Sequence, residues 1–455
     1  MRSMIAGTYV RSPGLRPSFR FVTVAGCLAM VYVTGVTSPL STKFFRSIGA
    51  TDLDIGLLGG IPLLMLFMQF VGAYAANHIK ARKPVFMVLV IMSRLIYIPV
   101  AFMPILLPPA YRDMSITVLL LLLTASAATG NFAVPLWYSW MADLIPKRIM
   151  NRYWGARQSW MQGTWVLSFL VVAWFVHTMN LPVIRAFGLL ATIGVTAGVL
   201  DILLFAWVRE PPHKVTKSAT PLKSLLAPFT HPEYRTFLLY SCTWAASVMT
   251  AAAFMQVYAL ETLKLPLGAA TLIWCVPGIG HALASRFWGR IADRFGQRPV
   301  MVICTFFKPL IVVVFLMATP STAFWLLPMA FALDGVWNAG NFIGANGYSM
   351  KIAPRENRSA FMAAIMALTG ICGGLASVGG GMFLKSFSGI SLTVIGRTWT
   401  NYHFLFIMSF FMRLACAGLV HYVRDPKSSG TRHVLMHFRG AWPLRTFRYP
   451  VGLEK

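Results

Sequence analysis

Twelve apolar runs of about twenty residues recur along the chain, each ended by a short polar stretch, and this pattern predicts twelve helices. They fall near 21–40, 55–76, 85–107, 116–142, 157–178 and 184–208, then near 235–259, 268–288, 299–318, 322–349, 359–384 and 401–423. Runs of that length match a hydrocarbon layer about 30 Å thick. Inside lipid each backbone N–H and C=O must be satisfied within its own segment, so the runs are helical. The expected fold is an all-α membrane protein of about twelve transmembrane helices.

The longest polar interruption, 209–234, is rich in Pro, Lys, Ser and Thr and divides the runs six and six. The predicted order is a basic N-terminus (1–20), a six-helix bundle (21–208), a linker (209–234), a second bundle (235–423) and a basic tail (424–455). The two bundles repeat one another. KPVFMVLVIMSR at Lys83–Arg94 returns as RPVMVICTFFK at Arg298–Lys308, and WVREP at Trp207–Pro211 as YVRDP at Tyr422–Pro426, both 215 positions later. The Gly130–Phe132 triplet and the Tyr138–Ser139 pair recur 210 positions on, at Gly340–Phe342 and Tyr348–Ser349. A parallel duplication of this kind predicts two pseudo-symmetric bundles with a shared site near mid-membrane.

Composition changes the picture mainly through charge. Only 12% of residues are charged, against roughly a quarter in soluble proteins, yet the formal net charge is +27. Most Lys and Arg lie in the termini, the even-numbered loops and the central linker. Under the positive-inside rule that asymmetry places both termini in the cytoplasm. The basic excess therefore reports topology and contact with anionic lipid headgroups, and no nucleic-acid partner is expected. All six cysteines fall in predicted spans, where they read as small apolar residues, not as a disulfide framework. No cleavable signal organisation precedes the first span, which is expected to remain as an anchor. The tail reads as a disordered juxtamembrane segment, with lipid-headgroup contact as the alternative.

GRIADRFGQRP at Gly289–Pro299 follows the second span of the second half. Gly289, Asp293, Arg294, Gly296 and Arg298 match the loop motif of the major facilitator superfamily, which this chain resembles over most of 21–423. The resemblance implies a conformational latch at these residues, a bacterial inner-membrane location and a small-molecule substrate. Some features depart from the family pattern. The first-half counterpart, GAYAANHIKARKP, lacks the aspartate and most glycines. The fourth span has no buried arginine, and the fifth lacks a glycine-proline run, so drug/proton antiport is not expected.

An ionisable side chain in lipid costs about 2.5–3.5 kcal/mol and needs a partner or a role. Arg94, Asp201, Lys308, Asp334 and Arg413 lie within spans, and His281 can change charge near neutral pH. Arg94 and Asp201 read as a structural ion pair, with a transport role as the alternative. Asp334, Asn338 and Asn341 stand at i, i+4 and i+7, beside Trp337. In the architecture that the resemblance implies, this helix lines the central cavity. Asp334 is then a candidate for proton or substrate binding, or it neutralises Lys308 or Arg413. Asn131 on the fourth span and Trp244 on the seventh are further lining candidates. Glycines at 371–381 suit close packing or a hinge. No metal-ligand spacing or phosphate-binding loop appears, and neither a cofactor nor an enzymatic activity is expected. The reading is a secondary transporter, with proton coupling as one option; the alternative is a transport-inactive ligand sensor or assembly factor.

Overall fold

A computed structural model describes residues 15–436, apart from 80, 107–111, 147–149, 180, 212–228, 230, 354–357, 395–396 and 427. The first span is broken at Ser38 into α1 (Leu15–Thr37) and α2 (Pro39–Ser47), with Pro39 at the start of the second piece, where a missing N–H costs nothing. The second comprises α3 (Asp52–Leu64), a 3₁₀ turn, and α4 (Met68–His78). The side chain of Thr51 caps α3 and Asp54 caps it reciprocally, satisfying two otherwise orphaned N–H groups. The third span is α5 (Arg82–Leu95) and α6 (Tyr97–Leu106). α7 (Arg112–Leu144), α8 (Met150–Thr178) and α9 (Val183–Leu203) complete the first half.

The second half follows the same plan with α10 (Pro232–Glu261), α11 (Leu267–Phe295), the split pair α12 (Gln297–Phe307) and α13 (Leu310–Met317), α14 (Ala323–Ile352), α15 (Arg358–Ser386) and α16 (Asn401–Leu419). A hairpin of β1 (Ser391–Val394) and β2 (Arg397–Thr400) joins α15 to α16. Among the described residues eleven helical segments are long and apolar enough to cross a membrane. α14 is the remaining helix of spanning length, with 30 residues, and its interior is diluted by Asp334, Asn338, Asn341 and Asn346. The expected twelve spans and all-α fold are present.

The repeat is visible in side-chain chemistry. Lys83 donates to the Ala206 carbonyl at 2.6 Å, and Arg298 to the His421 carbonyl at 2.8 Å, 215 positions on. Trp140 donates to the Arg209 carbonyl at 3.0 Å, as Tyr348 does to that of Arg424 at 2.8 Å. These donors satisfy carbonyls left open where α9 and α16 end. Glu210 accepts the backbone N–H groups of Arg82 and Lys83, while Asp425 pairs with Lys351 at 2.5 Å. The tail residues 424–436 are partly docked: Asp425 and Val434 are buried, and α17 (Thr431–Met436) lies under Phe295 and Val300.

The two halves meet at the end bearing Asp52 and Glu261. There α3 crosses α15 so closely that a Cβ on Gly60 would stand 2.8 Å from the Gly374 carbonyl, and one on Gly56 2.8 Å from that of Ser377. Ser377 donates to the Gly56 carbonyl at 2.9 Å. One apolar cluster includes Phe44, Ile55 and Phe187 from the first half with Phe254, Leu384 and Leu405 from the second.

Candidate substrate and coupling site

The ninth span breaks at Lys308 and Pro309, between α12 and α13, and the break sets the Lys308 side chain against α14. Its Nζ lies 2.9 Å from Asp334 Oδ1, an ion pair whose members are 5% and 12% exposed. Arg413 on α16 is 2% exposed and, among the described residues, has one long hydrogen bond, 3.4 Å to the Val248 carbonyl. The Asp334 charge acts on Arg413 as well as on Lys308, and Lys308 in turn acts on His281. Among the described residues one carboxylate therefore faces two buried cations, an arrangement with excess positive charge in a medium that penalises it. His281 sits beside Phe342, with ring centroids 5.9 Å apart.

The first half balances its charges differently. Arg94 and Asp201 form an ion pair at 2.5 Å, Arg94 donates to the Gly198 carbonyl at 2.8 Å, and its guanidinium lies 4.5 Å above the Tyr32 ring. Acid on the sixth span in one half is replaced by acid on the tenth span in the other.

The polar residues of α14 diverge. Asn341 is buried and donates to the Tyr240 hydroxyl and to Thr305, both at 3.0 Å, joining three spans. Asn338 is exposed. Trp337 stacks on Phe307 at 4.8 Å, and its indole N–H has no acceptor among the described residues. Asn131 accepts from Gln69 at 3.0 Å, tying the second and fourth spans. Trp244 is half-buried, packed against a cluster that contains Tyr240.

Around the Gly289–Pro299 loop, contacts run within the second half. Gly296 adopts φ 97°, a conformation that disfavours any side chain, and lies against Ser428. Arg298 holds His421, Arg294 lies over Phe295, and Asp293 is exposed. Gly289 has open space where a side chain would project.

At the opposite end a polar network bridges the halves. Arg46 pairs with Asp52 and with Glu261, the latter at 2.9 Å, and donates to the Tyr402 hydroxyl at 3.1 Å. Tyr402 donates to Asp52 at 2.8 Å, and Thr42 to Gln256 at 3.0 Å. Glu261, Gln256 and Tyr402 belong to the second half. None of these residues was singled out from sequence, because each lies at a span end where charge is unremarkable. Two arginines were also missed. Arg82, fully buried, pairs with Asp143 at 2.7 Å; Arg157 lies against the contacting rings of Trp137 and Trp154, 5.2 Å from each. Arg82 falls in a predicted loop and Arg157 at the first position of the predicted fifth span, whereas α8 begins at Met150 and sets Arg157 two turns inside the helix.

A family model described as Major Facilitator Superfamily matches residues 22–280 and 268–444. A mutant of the nucleoside transporter NupG has a similar fold, with TM-score 0.71 and 14% identity over 90% of this chain and 100% of that one. A D-xylose-proton symporter gives TM-score 0.70 and 14% identity, covering 92% and 99%. A probable peptide/nitrate transporter of Arabidopsis thaliana is 32% identical over 94 residues, a stretch that spans 20% of this chain and 18% of that relative.

Proposed function

The chain belongs to the Major Facilitator Superfamily, and we propose that it is a secondary active transporter that carries a small solute by alternating access with proton coupling at Asp334. The observation that carries this reading is the one-sided junction of the halves. Helices α3 and α15 and the Arg46 network close one end. Beyond the meeting of Trp165 on α8 with Gly278 on α11, the residues Gly155, Gln158 and Ser159 of α8 are exposed. With both termini cytoplasmic, this is the state open to the cytoplasm, in a bacterial inner membrane.

Asp334 is the coupling candidate because, among the described residues, it is the carboxylate that pairs with Lys308 and whose charge also acts on Arg413, on a helix whose face holds the exposed Asn338. Protonating it would release Lys308 and free α14 from α12, which ties a proton to a helix contact. Proteoliposomes containing Asp334→Asn, driven by a pH gradient, test this. Expected is loss of accumulation with retained exchange of labelled solute. Accumulation equal to the parent's would remove Asp334 from coupling. A parent that moves no solute across a broad panel would favour the sensor or assembly role.

A further inference from the structure

Arg157, half-buried, differs from three other arginines of the first half. Arg46, Arg82 and Arg94 each face a carboxylate. Among the described residues Arg157 has none within ion-pairing distance, and its one hydrogen bond runs 3.4 Å from Nε to the Val22 carbonyl. It stands seven residues into α8, about 10 Å along the axis at 1.5 Å per residue. Counted from Tyr153, where the apolar span begins, it stands four residues in, and a half-buried guanidinium there still calls for a partner or a role.

Its surroundings are built from three spans. Trp137 of α7 and Trp154 of α8 present their rings at 5.2 Å. Tyr153 is tied to α1 through the Phe19 carbonyl at 3.1 Å. Gly26 of α1 leaves the room the guanidinium occupies, since a Cβ there would lie 2.7 Å from Nη2. Beside Trp137, Tyr138 is 60% exposed, an aromatic and a hydroxyl together on the accessible surface. The aromatic walls fix the guanidinium plane by cation–π contact while both Nη groups remain without an acceptor among the described residues. A planar fork of free donors held this way fits a carboxylate or phosphate in two-point contact.

Resting on the transport reading, we infer that Arg157 binds the anionic group of the solute, so that the substrate is a small organic anion. Its carboxylate or phosphate takes the Nη donors, and its apolar body lies along Tyr138 and Trp137. Asp201 acts on Arg157 but is already paired with Arg94, so one carboxylate faces two guanidinium groups, and an anion arriving from the open end supplies the second negative charge. Neutralisation on loading gives a reason for the loaded carrier to close more readily than the empty one.

The test uses the full chain in phosphatidylcholine nanodiscs, with isothermal titration of benzoate, phenylacetate, indole-3-acetate and phenyl phosphate. Each is run against its neutral amide or alcohol. Expected is binding of at least one anion that weakens ten-fold or more in Arg157→Met and by a smaller factor in Arg157→Lys, with neutral partners unaffected. Thermal unfolding identifies a variant that has merely misfolded; Arg157→Lys, which keeps the charge but not the fork, then decides. Anion binding equal in parent and a folded Arg157→Met overturns the proposal, as does a neutral solute carried equally well by both. An Arg157-dependent rise in melting temperature with phosphatidylglycerol, and none with soluble anions, assigns the site to a lipid headgroup and also overturns it. Arg157-dependent anion binding without any flux in proteoliposomes upholds the site while sinking the transport reading.

Discussion

Removing one member of a sealed ion pair costs more than removing both, because the survivor is stranded in low dielectric. Arg94→Met should therefore destabilise the protein by about 3–5 kcal/mol, and Arg94→Met with Asp201→Asn should recover most of it. Thermal unfolding in detergent measures both; a double variant no better than the single would show that Arg94 acts through the Gly198 carbonyl and Tyr32 instead. The second half should behave differently. Asp334→Asn with Lys308→Met still leaves Arg413 facing no carboxylate, so its recovery should be clearly smaller. The charges themselves were legible, since lipid makes every buried one conspicuous. Their partners were not. Sequence offered Lys308 and Arg413 equally to Asp334, and the helix break at Pro309 chose Lys308. Likewise Asn341 shares a helical face with Asp334 in projection, yet Tyr240 and Thr305 take it into a packed junction. Arg157 escaped because an apolar run shows where side chains are greasy, while α8 starts seven residues earlier.

Helices α3 and α15 meet through glycine on both sides, which lets backbones approach until carbonyls lie where Cβ atoms would be. Glycine at 371–381 was legible as packing or hinge; its partners Gly56 and Gly60 were not, because a glycine pair inside one apolar run says nothing about the surface it meets. The crossing gives a test at this scale. A Cβ at Gly60 would lie 2.8 Å from the Gly374 carbonyl and 3.0 Å from Val378 Cγ2. Gly60→Val forces the helices apart at a cost of about 1–3 kcal/mol, as overpacking does. That cost falls on the closed arrangement alone, so the open-to-outside population should rise. Cysteines at positions 59 and 253, where a Cβ on Gly59 would meet that of Ala253 at 3.0 Å, should cross-link readily in a background free of native cysteine. The added Gly60→Val should cut the yield several-fold. An unchanged yield would mean that this crossing persists through the transport cycle.

For the molecule as a whole, the balance between its two openings is set by what each end contributes. Among the described residues the Gly289–Pro299 loop makes its contacts within its own half, whereas the Arg46 network joins halves. Arg46 is 20% exposed and Glu261 45%, so the pair between them is worth about 0.2–1 kcal/mol, as for exposed ion pairs. Small terms still matter here, because about 1.4 kcal/mol changes a two-state ratio ten-fold. Glu261→Gln loses one such pair and should raise the ratio of open to closed at this end by about 1.4- to five-fold. Arg46→Gln loses the Glu261 pair together with the hydrogen bond to Tyr402 across the junction, so its effect should be larger, on the order of ten-fold. The reporter is Thr42→Cys, in a background free of native cysteine and at a position that otherwise donates to Gln256 across the junction. It is labelled in intact cells with a maleimide that cannot cross the membrane. Labelling should be slow in the parent network, faster with Glu261→Gln and fastest with Arg46→Gln, while Ser218→Cys in the linker stays unlabelled throughout. Fast labelling at position 218 with none at 42 would invert the topology. Equal rates in all three Thr42→Cys proteins would leave the glycine crossing, not the Arg46 network, as what holds this end shut.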